Sequence, residues 1–160
     1  SSAASDVYKR QLDSSNAALT AGLKASPWLV KPNHRELEAW IGHPLNSLDE
    51  IIVAAKKLKA EGIANVIISM GANGSLWLSD QAVIQAQPPK CENVVSTVGA
   101  GDSMVAGLIY GIEKGLSQAE TLAFASAVSA FAVSQSNVGV SDIALLEPIL
   151  ANVKISVIEG

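Results

Sequence analysis

One hundred and sixty residues match the length of one ordinary domain and fall short of the roughly 250 that an eight-fold α/β barrel needs. Apolar residues make up 49% of the chain and charged residues 16%, against a usual charged share of about 25%, which excludes a disordered chain. A net charge of −4 offers no basic field for a phosphate backbone, so no nucleic-acid partner is expected.

The opening stretch, Ser1-Ser2-Ala3-Ala4-Ser5-Asp6-Val7-Tyr8-Lys9-Arg10-Gln11, has no apolar period and no initiator Met. It resembles translated adapter sequence more than protein, so residues 1–11 are read as an unstructured, non-native leader. Residues 12–160 then read as a fragment of a longer domain. Ala17, Ala18, Leu19, Ala21 and Leu23 predict a helix over 14–25, with Ser14 or Ser15 as its cap. Trp28-Leu29-Val30, bounded by Pro27 and Pro32, predicts a short buried strand. A short helix over 33–41 stops at Gly42, and a stronger one over 48–61 stops at Gly62.

Val66-Ile67-Ile68 lacks alternation, as a strand does when both its faces are covered. Leu76-Trp77-Leu78 and Val83-Ile84 flank Ser79-Asp80-Gln81 and predict an antiparallel hairpin. Helices follow over 103–114, 117–135 and 141–152, and a last strand over 154–158. Helices alternating with short apolar strands give an α/β fold with no repeat and no internal linker. The longest apolar stretch, 121–133, is interrupted by Ser126 and Ser129 and is shorter than the roughly 20 residues a span needs. One cysteine, Cys91, and two histidines without metal spacing, His34 and His43, argue against disulfides and zinc. A cytoplasmic protein, with no membrane partner, is expected.

The sharpest local signal is Ser96-Thr97-Val98-Gly99-Ala100-Gly101-Asp102-Ser103-Met104. Small residues at a helix start let a phosphate approach unpaired N–H groups at the positive end of the helix dipole. Asp102 stands in that first turn, where a carboxylate could take a proton from an attacking hydroxyl. An Asp at a helix start is more often only a dipole partner, and glycines there often serve only packing. Two other nucleotide motifs fail. No Gly-x-x-x-x-Gly-Lys-Ser/Thr occurs, and a dinucleotide fingerprint would need glycine where Met104 stands and a strand where Pro88-Pro89-Lys90-Cys91-Glu92 sits.

The stretch 96–109 resembles the second signature of the PfkB sugar-kinase family, which has the ribokinase-like fold. Two further segments agree in order. Lys31-Pro32-Asn33-His34-Arg35-Glu36 is similar to the family's Asn-x-x-Glu element, and Ser69-Met70-Gly71-Ala72-Asn73-Gly74 to its nucleotide-binding turn after a strand. Alone, Asn33 and Glu36 read as a helix-capping pair, and Gly71 and Gly74 as turn glycines. Their coincidence in family order is what carries the resemblance.

The resemblance implies a three-layer α/β/α sandwich of which this chain is the C-terminal, nucleotide-binding part, the N-terminal half and lid being absent. It implies Asp102 as the base, with Gly99, Ala100 and Gly101 presenting N–H groups to the transferring phosphoryl group. It implies that Ser69, Met70, Gly71, Ala72, Asn73, Gly74, Thr97 and Asn137 line ATP, with Lys31 and Asn33 near its phosphates. Asn33 and Glu36 would hold Mg2+ through waters. Ser96, Val98, Asn137 and Gly139 would hold a monovalent cation, K+.

Within the family, the strings 132–139 and 28–33 resemble most the bacterial members that phosphorylate fructose 1-phosphate at its 6-hydroxyl. Kinases of tagatose 6-phosphate and fructose 6-phosphate share the motifs and stand as alternatives. The implied partners are ATP and a phosphorylated ketohexose, with a homodimer formed through the absent lid. A non-catalytic nucleotide-binding module would not require Asp102, and a purely structural domain would leave 99–102 unexplained.

Overall fold

The structure is a computed structural model that describes residues 11–12, 19, 23–24, 27–90, 100–134 and 142–160. Six strands follow one another across a mixed sheet in chain order: β1 (Gln11–Leu12), β2 (Leu29–Val30), β3 (Asn65–Ser69), β4 (Ser75–Leu78), β5 (Val83–Gln87) and β6 (Lys154–Glu159). The helices are α1 (His34–Ile41), α2 (Leu48–Lys59), α3 (Ala100–Glu113), α4 (Gln118–Val133) and the single turn α5 (Glu147–Leu150). The described residues divide into two compact units, one built on residues 11–71, 75–84 and 157–160, the other on 72–74, 85–90, 100–134 and 142–156.

In the first unit β1, β2 and β3 run parallel, with Leu29 opposite both Gln11 and Asn65. Parallel neighbours need a crossover, and α1 and α2 lie on the segment between β2 and β3. α1 starts where Asn33 accepts the Glu36 N–H and ends at Gly42, which takes a left-handed φ of 90°. α2 is capped by Ser47, has Asp49 and Glu50 in its first turn and has Lys56, Lys57 and Lys59 in its last. Those charges oppose the helix dipole at both ends. Leu37, Ile51, Ile52, Ala55 and Leu58 turn inward against Val30, Val66 and Ile68, the core of this unit.

β3 turns back into antiparallel β4, with Ser69 opposite Ser75 across a 3₁₀ turn, Gly71–Asn73. Trp77 of β4 is buried and its indole N–H donates to Asn65 Oδ1 at 2.9 Å, which satisfies the ring's polar edge. The expected hairpin then follows. Ser79 N–H reaches Ala82 carbonyl at 3.0 Å, and Ser79 Oγ accepts from Gln81 and Ala82 at 3.1 and 3.2 Å.

In the second unit α3 and α4 pack closely, and Ser117 and Glu120 form a capping box at the start of α4. Phe124, Val128 and Leu146 form its apolar cluster, with the rings of Tyr110 and Phe124 stacked at 4.6 Å.

Gln11, the last residue of the stretch read as a leader, pairs with Leu29 in β1. Three expectations change. α3 begins at Ala100, three residues before the predicted start, and α2 ends at Lys59, two before its predicted end. The helix predicted over 141–152 is a 3₁₀ turn, Ile143–Leu146, followed by α5. Pro148 explains that break, because its missing N–H and its ring disrupt a helix that continues through it. Most of the helix predicted over 14–25 lies outside the described residues, although Leu19 and Leu23 within it are helical and Leu19 is fully buried. Among the described residues, no helix is long and apolar enough to cross a membrane.

Candidate functional site

The first unit gathers Lys31, Asn33, Glu36, Ser69, Met70 and Gly71 at the ends of β2 and β3. Asn33 bridges Ser69 in the parallel sense, and Ser69 N–H donates to Pro32 carbonyl at 3.1 Å. The Asn-x-x-Glu element and the turn after β3 are therefore neighbours, which their separation of more than thirty residues in sequence does not reveal. Lys31 is buried at 4% exposure and Met70 at 8%. Met70 belongs to the core, so only its main chain can face a ligand.

Asn33 and Glu36 form a complete capping box. Glu36 N–H donates to Asn33 Oδ1 at 2.8 Å, and Asn33 N–H donates to Glu36 Oε1 at 3.0 Å. The capping alternative is thus realised in the structure. The pair leaves Glu36 Oε2 as an anionic oxygen outside the box. Magnesium holds on to its waters and takes one or two carboxylates plus phosphates, so one such oxygen fits a water-mediated ion and not a direct protein cage. No group of three or more His, Cys, Asp or Glu suited to a metal occurs among the described residues.

Capping and metal holding separate by experiment. Without magnesium, Asn33→Ala should lower the stability of the protein by about 1 kcal/mol, the usual worth of an N-cap, and Asn33→Ser should restore it. Urea denaturation of the three proteins checks this. Equal stabilities would show that the box contributes nothing.

The second unit holds Ala72, Asn73, Gly74, Ala100, Gly101 and Asp102. Ala72 and Asn73 are exposed, while Gly74 is buried at a left-handed φ of 86°. A Cβ on Gly74 would stand 2.0 Å from the Ala86 carbonyl oxygen, so the main chain of β5 passes directly over this turn. Asp102 is exposed in the first turn of α3, where its carboxylate is open to solvent. A feature the motifs do not announce is Ser129, whose hydroxyl donates to Ala100 carbonyl at 3.1 Å.

Ser96, Thr97, Val98 and Gly99, and Asn137 and Gly139 with them, lie outside the described residues. A surface cavity of about 400 Å³ is lined by Lys56, Lys59, Asp80 and Glu159 among others, and by none of the predicted site residues. Its lysines are already paired, Lys56 with Glu159 at 2.6 Å and Lys59 with Asp80.

The family model for pfkB carbohydrate kinases matches residues 2–144. A 1-phosphofructokinase of Haemophilus influenzae is 80% identical over 149 residues, 93% of this chain and 48% of the relative. The 1-phosphofructokinase of Escherichia coli K12 is 55% identical over 141 residues, 88% of this chain and 45% of the relative. The chain spans about half the length of these relatives. A solved Staphylococcus aureus structure assigned as a phosphofructokinase superposes with a TM-score of 0.86 at 31% identity, covering 94% of this chain and 48% of that one.

Escherichia coli phosphofructokinase-2 in complex with potassium gives 0.78 at 31% identity, over 88% and 46% of the two chains. Arabidopsis thaliana ribokinase with ribose and ATP gives 0.74 at 26% identity, over 88% and 46%. The ribokinase-like α/β expectation is borne out by these superpositions. Together with a match that takes in most of the sequence, they settle its kinship: this chain belongs to the pfkB family of carbohydrate kinases.

Proposed function

We propose that this chain supplies the nucleotide site and the catalytic base of a cytoplasmic 1-phosphofructokinase, which transfers the γ-phosphoryl of ATP to the 6-hydroxyl of fructose 1-phosphate. The observation that carries the reading is 80% identity to a 1-phosphofructokinase in a chain whose Asp102 stands exposed at the start of α3. Binding alone does not require a carboxylate there, which repels the phosphates it would sit beside.

In this reading the Asp102 carboxylate takes the proton of the 6-hydroxyl. The hydroxyl oxygen bonds to the γ-phosphorus as the bond from that phosphorus to the β–γ bridging oxygen breaks, giving ADP and fructose 1,6-bisphosphate. Main-chain N–H groups of Gly99, Ala100 and Gly101 meet the charge on the transferring phosphoryl, where fixed donors are worth most. The 69–74 turn, with Thr97 and Asn137, lines the nucleotide, and Lys31 lies toward its phosphates. Magnesium, when bound, neutralises phosphate charge, with Glu36 and Asn33 holding its waters. Ser96, Val98, Asn137 and Gly139 are assigned to a monovalent cation on the family pattern, and dimerisation to the part of the relatives that this chain does not span.

Phosphoryl transfer depends on positioning both reactants, so the chain alone should show no turnover. The decisive experiment joins the N-terminal half of the Haemophilus influenzae relative to this chain and measures ADP release from the full-length hybrid. Fructose 1-phosphate should exceed fructose 6-phosphate and tagatose 6-phosphate in kcat/KM by at least about tenfold, a difference of about 1.4 kcal/mol in barrier. A hybrid that binds ATP yet phosphorylates none of the three would favour the binding module. A preference for another sugar phosphate would move the specificity and leave the chemistry.

A further inference from the structure

Helices α3 and α4 lie almost backbone to backbone. A Cβ on Gly107 would stand 2.7 Å from Ala125 Cα, and one on Gly111 would stand 2.7 Å from Thr121 Cγ2. Thr121, Ala125 and Ser129 recur every four residues and so share one face of α4. Gly111 and Gly107 meet the first two members of that row in reverse order. The third, Ser129, reaches the start of α3, where its hydroxyl donates to the Ala100 carbonyl at 3.1 Å.

The first turn of any helix is the part its own hydrogen bonds hold least, because its N–H groups have no partner within the helix. Asp102 is in that turn, two residues after Ala100. The glycine contacts fix the spacing of the two helices further along, at Gly107 and Gly111, but they do not reach the peptide of Ala100. The Ser129 hydroxyl does. We infer that Ser129 is a positioning residue for Asp102: by tying down the Ala100 peptide it sets the direction in which the Asp102 carboxylate leaves the helix. This rests on the reading of Asp102 as the base.

The test uses the full-length hybrid with Ser129→Ala, Asp102→Asn and both together. Ser129→Ala should lower kcat about tenfold, inside the hundredfold that a 1 Å misplacement can cost, with KM for ATP changed less than about twofold. Ser129→Thr, which keeps the hydroxyl, should recover most of the rate. In the Asp102→Asn background Ser129→Ala should have no further effect, because a carboxylate that is gone cannot be misaimed. A merely structural serine would lower kcat by the same factor with and without Asp102, and that result overturns the inference, as does an unchanged kcat in Ser129→Ala.

Should Ser129→Ala fail to fold, Ser129→Cys carries the test, since a thiol fills nearly the same space but donates only weakly. A smaller loss of kcat is then expected in the same direction, and again none in the Asp102→Asn background. An Asp102→Asn enzyme with undiminished kcat would instead sink the base itself and this inference with it. A large loss in Asp102→Asn beside a silent Ser129→Ala sinks the inference alone.

Discussion

Replacing Asp102 by Asn in the full-length hybrid should lower kcat by about 10²–10⁴-fold, the range for a lost general base, or about 2.7–5.4 kcal/mol of barrier. Asn keeps the size of the side chain and removes only its charge. The two roles open to a carboxylate in this turn differ in what they predict. As a dipole partner it contributes about 0.3–1 kcal/mol to stability and nothing to rate. As the base it sets the rate and little else. The KM for ATP should stay level or fall, because removing a negative charge beside phosphates does not weaken their binding. Steady-state kinetics with both substrates varied separates the cases: a raised KM with kcat intact would make Asp102 a binding residue, and a lower melting temperature with intact kinetics would make it a dipole partner.

Where local chemistry decides the structure, the sequence is legible. Asn33 with Glu36 and Gly42 place both ends of α1, because capping needs only residues three or four apart. Leu29-Val30 and Val66-Ile67-Ile68 are read as buried strands from their unbroken apolar runs. Legibility ends where distant segments decide. Gly99 and Gly101 are poor helix formers, so propensity places the start of α3 at Ser103, while the structure begins it at Ala100. The tie from Ser129 joins residues 29 apart and depends on how two helices cross, which no spacing rule contains. Of the motif residues, Asn33 lies at the start of α1, Ser69 at the end of β3 and Asp102 in the first turn of α3. That Asn33 and Ser69 are neighbours follows only from the parallel register of β2 and β3. Gly71 and Gly74 read as turn glycines, and both take a left-handed φ in the connection between β3 and β4.

Gly74 is where that hairpin tolerates least change, and Gly74→Ala should destabilise the protein by about 2–5 kcal/mol. Two effects add. A left-handed φ of 86° suits glycine and carries a penalty of about 1–2 kcal/mol for an L side chain. The methyl would also stand 2.0 Å from the Ala86 carbonyl oxygen and 3.1 Å from Gln87 Cα, main-chain atoms that move only if β5 moves. Forcing such a shift typically adds about 1–3 kcal/mol. Gly71, in the same turn, supplies the control: its φ of 59° is also left-handed, but nothing lies within 4 Å of a Cβ there. Gly71→Ala should therefore show the conformational penalty alone. Urea denaturation of the full-length hybrid carrying each change measures the difference between them, which is the contribution of the close approach of β5. Equal losses at the two positions would mean that β5 does not press on the turn, and that the turn is held by its backbone conformation only.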